Sequence, residues 1–140
     1  MIRLVTEQAD KIRCFAVLSG LRPHLSLDDF LLQVSRMEIE TGYQLACLED
    51  AEAIKAVAGF RISEWLHTGK YLEIEELITA DGNRSKGYGG QLYDWLLDFA
   101  KQQKCAQMRL VSGVSREAAH KFYLNKGMKF EAKYFSINTE

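Results

Sequence analysis

The chain has 140 residues, 47% of them hydrophobic, and its 18 basic and 19 acidic side chains leave a net charge of −1. That length suits one domain, read here as residues 1–140, with enough apolar mass to bury a core; the even charge excludes a general attraction to nucleic acid or an anionic membrane surface. No apolar run approaches the ~20 residues of a membrane span, and Cys14, Cys47 and Cys105 lie too far apart for a zinc site or a disulfide framework.

A reducing, cytoplasmic setting fits that cysteine usage, and the charged N-terminus MIRLVTEQADKIRC has no secretory h-region. Ile2 to Thr6 reads as a strand. Thr6 is the expected cap of a first helix, whose stripe is Ile12, Phe15, Ala16 and Leu18 and whose end is Gly20. LRPHLSL is a loop. SLDDFLLQVSRME is a second helix, capped by Ser26 with acidic residues in its first turn. After Gly42, YQLACLED and AIKAVAGFRIS form a hairpin around Glu49 to Glu52, and YLEIEELIT is a further strand. A helix from Tyr88 carries Leu92, Trp95, Leu96 and Phe99 on one face. AQMRLVSG is a strand, SREAAHKFYLNKG a helix capped by Ser115 and stopped by Gly127, and KYFSIN a closing strand. The order β-α-α-β-β-β-α-β-α-β predicts an α/β fold with a mixed central sheet flanked by helices.

The stretch NRSKGYGGQL places three glycines where a helix begins, at a cost in helix propensity. It fits neither the G-x-G-x-x-G dinucleotide fingerprint nor the P-loop. A strand, a short turn, glycines and a helix N-terminus nevertheless make an anion site from free backbone N–H groups and the helix dipole. Arg84 and Lys86 add positive charge. The competing reading is a plain glycine-rich turn with solvated basic residues.

Arg84-Ser85-Lys86-Gly87-Tyr88-Gly89 matches [QR]-x-x-G-x-[GA], and Ala119, Phe122, Tyr123 and Gly127 match A-x-x-[FL]-Y-x-x-x-G-[FM]. On these two segments the chain resembles the GNAT superfamily of N-acetyltransferases, whose element order agrees with the one above. The resemblance implies acetyl-CoA as cofactor. Its pyrophosphate would lie on the amides of Arg84, Ser85, Lys86, Gly87, Tyr88, Gly89 and Gly90. Its pantetheine arm would pair with Leu77, Ile78 and Thr79, in a cleft opened toward QMRLVS. Arg116 stands where many relatives carry an Asn that touches the cofactor, so that role is not carried over. R-x-x-A-H-K-F-Y instead resembles branches that acetylate small amines, including the aminoalkylphosphonate type.

Acetyl transfer to an amine needs a neutral nitrogen and a proton for the departing thiolate. The resemblance assigns that proton to Tyr123; the alternative is a packed aromatic with its hydroxyl satisfied. For the base, Glu73, Glu75 and Glu76 share one strand, a costly place for carboxylates unless one face is wet. The alternation breaks around Glu75-Glu76 as a β-bulge would break it. Glu75 is the first choice, then Glu76, then Glu73, against solvated edge residues or salt bridges. Arg22 and His24 are candidate pocket residues, and no metal is expected. The acceptor is expected to be a small-molecule amine; the alternatives are a protein lysine or N-terminus, or a non-catalytic acetyl-CoA sensor. Homodimers are frequent on the scaffold.

Overall fold

The structure, a computed structural model, describes residues 1–83 and 86–140. Residues 1–109 and 110–140 form two compact units. The first holds β1 (Ile2–Val5), α1 (Gln8–Leu18), α2 (Leu27–Thr41), β2 (Gln44–Asp50), β3 (Ala53–Trp65), β4 (Gly69–Thr79) and α3 (Tyr88–Gln102). β5 (Gln107–Leu110) runs to the border between the units, and α4 (Glu117–Asn125) lies in the second.

The sheet order is β1-β2-β3-β4-β5, with the first three neighbouring pairs antiparallel. Ala106 N–H donates to the Lys70 carbonyl at 2.7 Å, and three residues on in both strands Arg109 Nε donates to Glu73 Oε1 at 2.7 Å. β5 therefore runs parallel to β4, as the mixed sheet requires.

Ser26 caps α2, its Oγ accepting from Asp29 N–H at 3.1 Å, and Gly42 ends it at φ 70°. The other two expected caps are corrected. Glu7, not Thr6, is the N-cap of α1, and Arg116, not Ser115, that of α4, neither with a side-chain bond. Packing of the apolar stripes supplies what the caps do not. Leu92 and Leu96 of α3 are fully buried, and Phe99 meets the ring of Phe60 edge-on at 5.6 Å. Each such buried side chain contributes about 1.5–3 kcal/mol. On the opposite face, α1 and α2 bury Cys14, Leu18, Phe30 and Val34 against Leu45, Cys47 and Val57. A hydrogen bond with Cys47, together with burial, pushes the Cys14 thiol up, which fits a packing role.

The expected closing strand is absent. No described residue beyond α4 lies in a strand, and Phe130, Tyr134, Phe135 and Ile137 are exposed. Strand propensity reflects packing on a half-buried surface, which this segment lacks. Among the described residues, no helix is long and apolar enough to cross a membrane.

The β2–β3 turn consists of Ala51 and Glu52, at φ 52° and 63° between the paired Asp50 and Ala53. That is a primed hairpin turn built without the Asn-Gly pair it favours. Ala51→Asn combined with Glu52→Gly should relieve the left-handed strain and stabilise the protein by ~1 kcal/mol. Urea denaturation measures it, and an unchanged or lower midpoint would show that the turn carries no strain.

Candidate active site

β4 contains the feature that builds the site. Phe60 pairs with Ile74, but Gly59 pairs with Glu76, so Glu75 is an extra residue and the strand bulges there. Before the bulge, the even-numbered Leu72 and Ile74 share the α3 face with Phe60. After it, Thr79 reaches that face, where its Cγ2 approaches Gly89 of α3, and the even-numbered Glu76 and Ile78 turn toward α1 and α2. The bulge thereby transfers one carboxylate from the α3 face of the sheet to the pocket face.

That pocket is a cavity of about 250 Å³ between α1, α2 and β4. Phe15 and Leu18 line it from α1, Phe30, Val34 and Met37 from α2, and Leu25 from the intervening loop. Its polar groups are Glu76, Tyr43, Arg22, His24 and Gln33. Tyr43 donates its hydroxyl to Glu76 Oε1 at 2.5 Å, and Arg22 Nη2 donates to Glu76 Oε2 at 3.2 Å and to the Glu75 carbonyl at 3.1 Å. Burial raises the Glu76 pKa, opposed by the bonds from Tyr43 and Arg22. Burial and the adjacent Glu76 charge hold Tyr43 well above the usual phenol range, so Tyr43 stays a donor.

The other two strand carboxylates are engaged elsewhere. Glu75 takes bonds from Arg61, through Nε at 2.8 Å and through Nη2. Glu73 accepts from Arg109, whose guanidinium lies over the rings of Trp65 and Tyr71 at 3.9 and 3.7 Å. Of the three, Glu76 alone lines the pocket, together with Arg22 and His24. His24 is exposed on the α1–α2 loop.

Tyr43 and Gly59 were not singled out by sequence reasoning. A Cβ on Gly59 would lie 1.8 Å from the Tyr43 hydroxyl and 2.4 Å from Glu76 Oε1, so the hydrogen bond exists because position 59 has no side chain. The available signal was a glycine inside an apolar strand, which marks a bulge or a close approach.

The expected donor side rests on β4 and α3. β5 flanks β4 only from Lys70 to about Ile74, since its four residues end at Leu110, and Leu77, Ile78 and Thr79 lie beyond its reach. At the start of α3, Gly87 sits at φ 84° with no side-chain cap, and the first helical bond runs from Gln91 N–H to the Gly87 carbonyl. The amides of Tyr88, Gly89 and Gly90 therefore have no intrahelical partner. The Tyr88 ring points elsewhere, its hydroxyl donating to Asp50 at 3.1 Å, while Lys86 is exposed. Arg84 and Ser85 lie outside the described residues. The helix start, with no side-chain cap, and the strand segment past the end of β5 suit a phosphate and an extended amide-bearing chain, respectively.

In the second unit, Tyr123 packs edge-on against Phe122 at 5.3 Å, and burial raises its pKa against the opposing charge of Arg116. His120 Nε2 lies 2.8 Å from the Gly113 carbonyl. Ser112 Oγ is buried without a hydrogen-bond partner among the described residues.

The sequence matches the acetyltransferase (GNAT) family over residues 11–130. It is 30% identical over 135 residues to YhdJ of Bacillus subtilis, described as an uncharacterized N-acetyltransferase, covering 96% of this chain and 95% of the relative. It is 31% identical over 88 residues to the aminoalkylphosphonate N-acetyltransferase of Salmonella typhimurium, covering 62% of this chain and 56% of the relative. A solved aminoglycoside N-acetyltransferase in complex with CoA shares the fold at a TM-score of 0.82 and 10% identity, covering 99% of this chain and 95% of that one.

Proposed function

The chain belongs to the GNAT family of N-acetyltransferases, and from that premise we propose that it transfers acetyl from acetyl-CoA to the primary amine of a small molecule. The observation that carries this reading is the position of Glu76. It lines the pocket and directly precedes Leu77–Thr79, the strand segment past the end of β5. One face of the bulge thus serves an acceptor while the adjoining edge serves a donor.

The amides of Tyr88, Gly89 and Gly90, with Lys86 and the preceding Arg84 and Ser85, would hold the pyrophosphate. The backbone of Leu77, Ile78 and Thr79 would pair with the pantetheine arm. Bound there, acetyl-CoA supplies the acetyl group as an activated thioester. Glu76 accepts a proton from the acceptor ammonium and frees the nitrogen lone pair. Arg22 and Tyr43 hold the carboxylate in place and favour its ionised form. Tyr123, whose phenol burial keeps protonated, would be the donor for the leaving sulfur, the role the family resemblance assigns it. A pocket of about 250 Å³ with mostly apolar walls suits a small amine.

The test is thiol release from acetyl-CoA mixed with primary amines, paired with Gly89→Glu. A Cβ at position 89 meets only Thr79 Cγ2 at 3.4 Å, an ordinary contact, and a carboxylate in the first turn favours the helix dipole. The variant should therefore fold while losing acetyl-CoA affinity by more than about a hundredfold, a cost of ~2.7 kcal/mol. Wild-type affinity by calorimetry would refute the loop assignment.

A further inference from the structure

We propose that the acceptor is a compact, uncharged-bodied primary amine, of the single-ring arylalkylamine class, rather than an amine bearing a phosphonate, phosphate or carboxylate. This rests on the reading of the pocket as the acceptor site. Its walls are apolar: Phe15 and Phe30, 5.1 Å apart and tilted 45°, face Leu18, Val34 and Met37. The polar groups that meet Glu76 are already bonded to it. Tyr43 gives its only proton to Oε1, and Arg22 spends Nη2 on Oε2 and the Glu75 carbonyl.

The charge balance disfavours an acidic substrate. Arg22 and Glu76 cancel, and the pocket lining holds no other arginine or lysine. An anionic group taken into this cavity would meet an Arg22 whose charge Glu76 already offsets, and would bring a second negative charge beside that part-buried carboxylate. An ammonium entering next to Glu76 adds an opposite charge instead. The carbon body then replaces water against aromatic and aliphatic walls, at about 25 cal/mol per Å² buried.

Size narrows the class. An apolar cavity of about 150 Å³ accepts a benzene ring. The cavity here is about 250 Å³ and partly open, which adds room for a two-carbon arm reaching Glu76. Met37, unbranched and partly buried, is the wall residue best suited to adjust to the ring.

The experiment compares 2-phenylethylamine, 2-aminoethylphosphonate, spermidine and a lysyl peptide in two assays: calorimetric binding to the protein alone and thiol release with acetyl-CoA. The expected result is that 2-phenylethylamine binds, and has a kcat/KM at least tenfold above the other three. Val34→Leu should raise its KM about tenfold by filling the cavity, while Met37→Ala should shift preference toward the two-ring tryptamine; either variant alone suffices if the other fails to fold. A tenfold preference for 2-aminoethylphosphonate, spermidine or the peptide would overturn the proposal. Binding of 2-phenylethylamine without thiol release from any amine would support the acceptor class and overturn the transfer reading. Absence of both binding and release would overturn the two together.

Discussion

Gly59→Ala is expected to lower the thermal midpoint by roughly 10 °C and acetyl transfer by about a hundredfold. The reason is geometric. The new Cβ would sit 1.8 Å from the Tyr43 hydroxyl, 2.7 Å from Tyr43 Cζ and 2.4 Å from Glu76 Oε1. Glu76 is held by the bulge, and Tyr43 is 4% exposed at the edge of the core, so neither side chain can step aside without opening a void. Overpacking of this kind costs about 1–3 kcal/mol, and breaking the part-buried Tyr43–Glu76 bond adds about 1 kcal/mol or more for the unpaired group. Gly113→Ala is the matched control, because its new Cβ would meet nothing nearer than Arg116 Cγ at 3.8 Å. Combining Gly59→Ala with Tyr43→Phe removes the closest contact and should recover part of the stability but none of the activity. Differential scanning calorimetry and the thiol-release assay read the two effects separately. A Gly59→Ala protein with wild-type midpoint and rate would mean that the hydrogen bond does not organise the site.

The architecture was legible because its signals are local. The 3.6-residue stripe of α3, the capping Ser26 and the apolar runs of the β2–β3 hairpin around a polar turn each report on a few neighbouring residues, and each is found in place. The irregular pattern of YLEIEELIT even revealed the bulge. What the pattern did not reveal was the consequence. One inserted residue reverses the facing of everything after it, so ranking the carboxylates by simple parity favoured Glu75, whereas the pocket receives Glu76. Tyr43 and Gly59 were missed because their meaning is a contact across 16 residues of chain, invisible to periodicity. The caps of α1 and α4 and the closing strand were missed for a related reason: propensity marks where an element can form, and packing decides whether it does.

Glu76→Gln should lower kcat/KM by roughly 10²–10⁴-fold at neutral pH while leaving acetyl-CoA affinity unchanged. The amide keeps the shape of the carboxylate and can still accept from Tyr43, but it cannot take a proton from the acceptor ammonium. Glu75→Gln is the comparison. Its carboxylate is bound to Arg61, so its loss should cost less than about tenfold. The pH profile adds a sign that a purely structural role would not produce. Transfer requires ionised Glu76, and burial raises its pKa above the ordinary carboxylate value of 4.5, so the acid limb of kcat/KM should lie above that of an exposed carboxylate. Tyr43 donates to the ionised form and lowers that pKa. Tyr43→Phe should therefore move the acid limb to higher pH, with the plateau rate recovered once Glu76 is again ionised. A limb that stays in place, or a loss in Glu75→Gln equal to that in Glu76→Gln, would return the base to the other carboxylate. Both shifts in the expected direction would tie the rate to one side chain, which the bulge turns toward the pocket, the missing Cβ of Gly59 accommodates, and Tyr43 and Arg22 hold in its charged form.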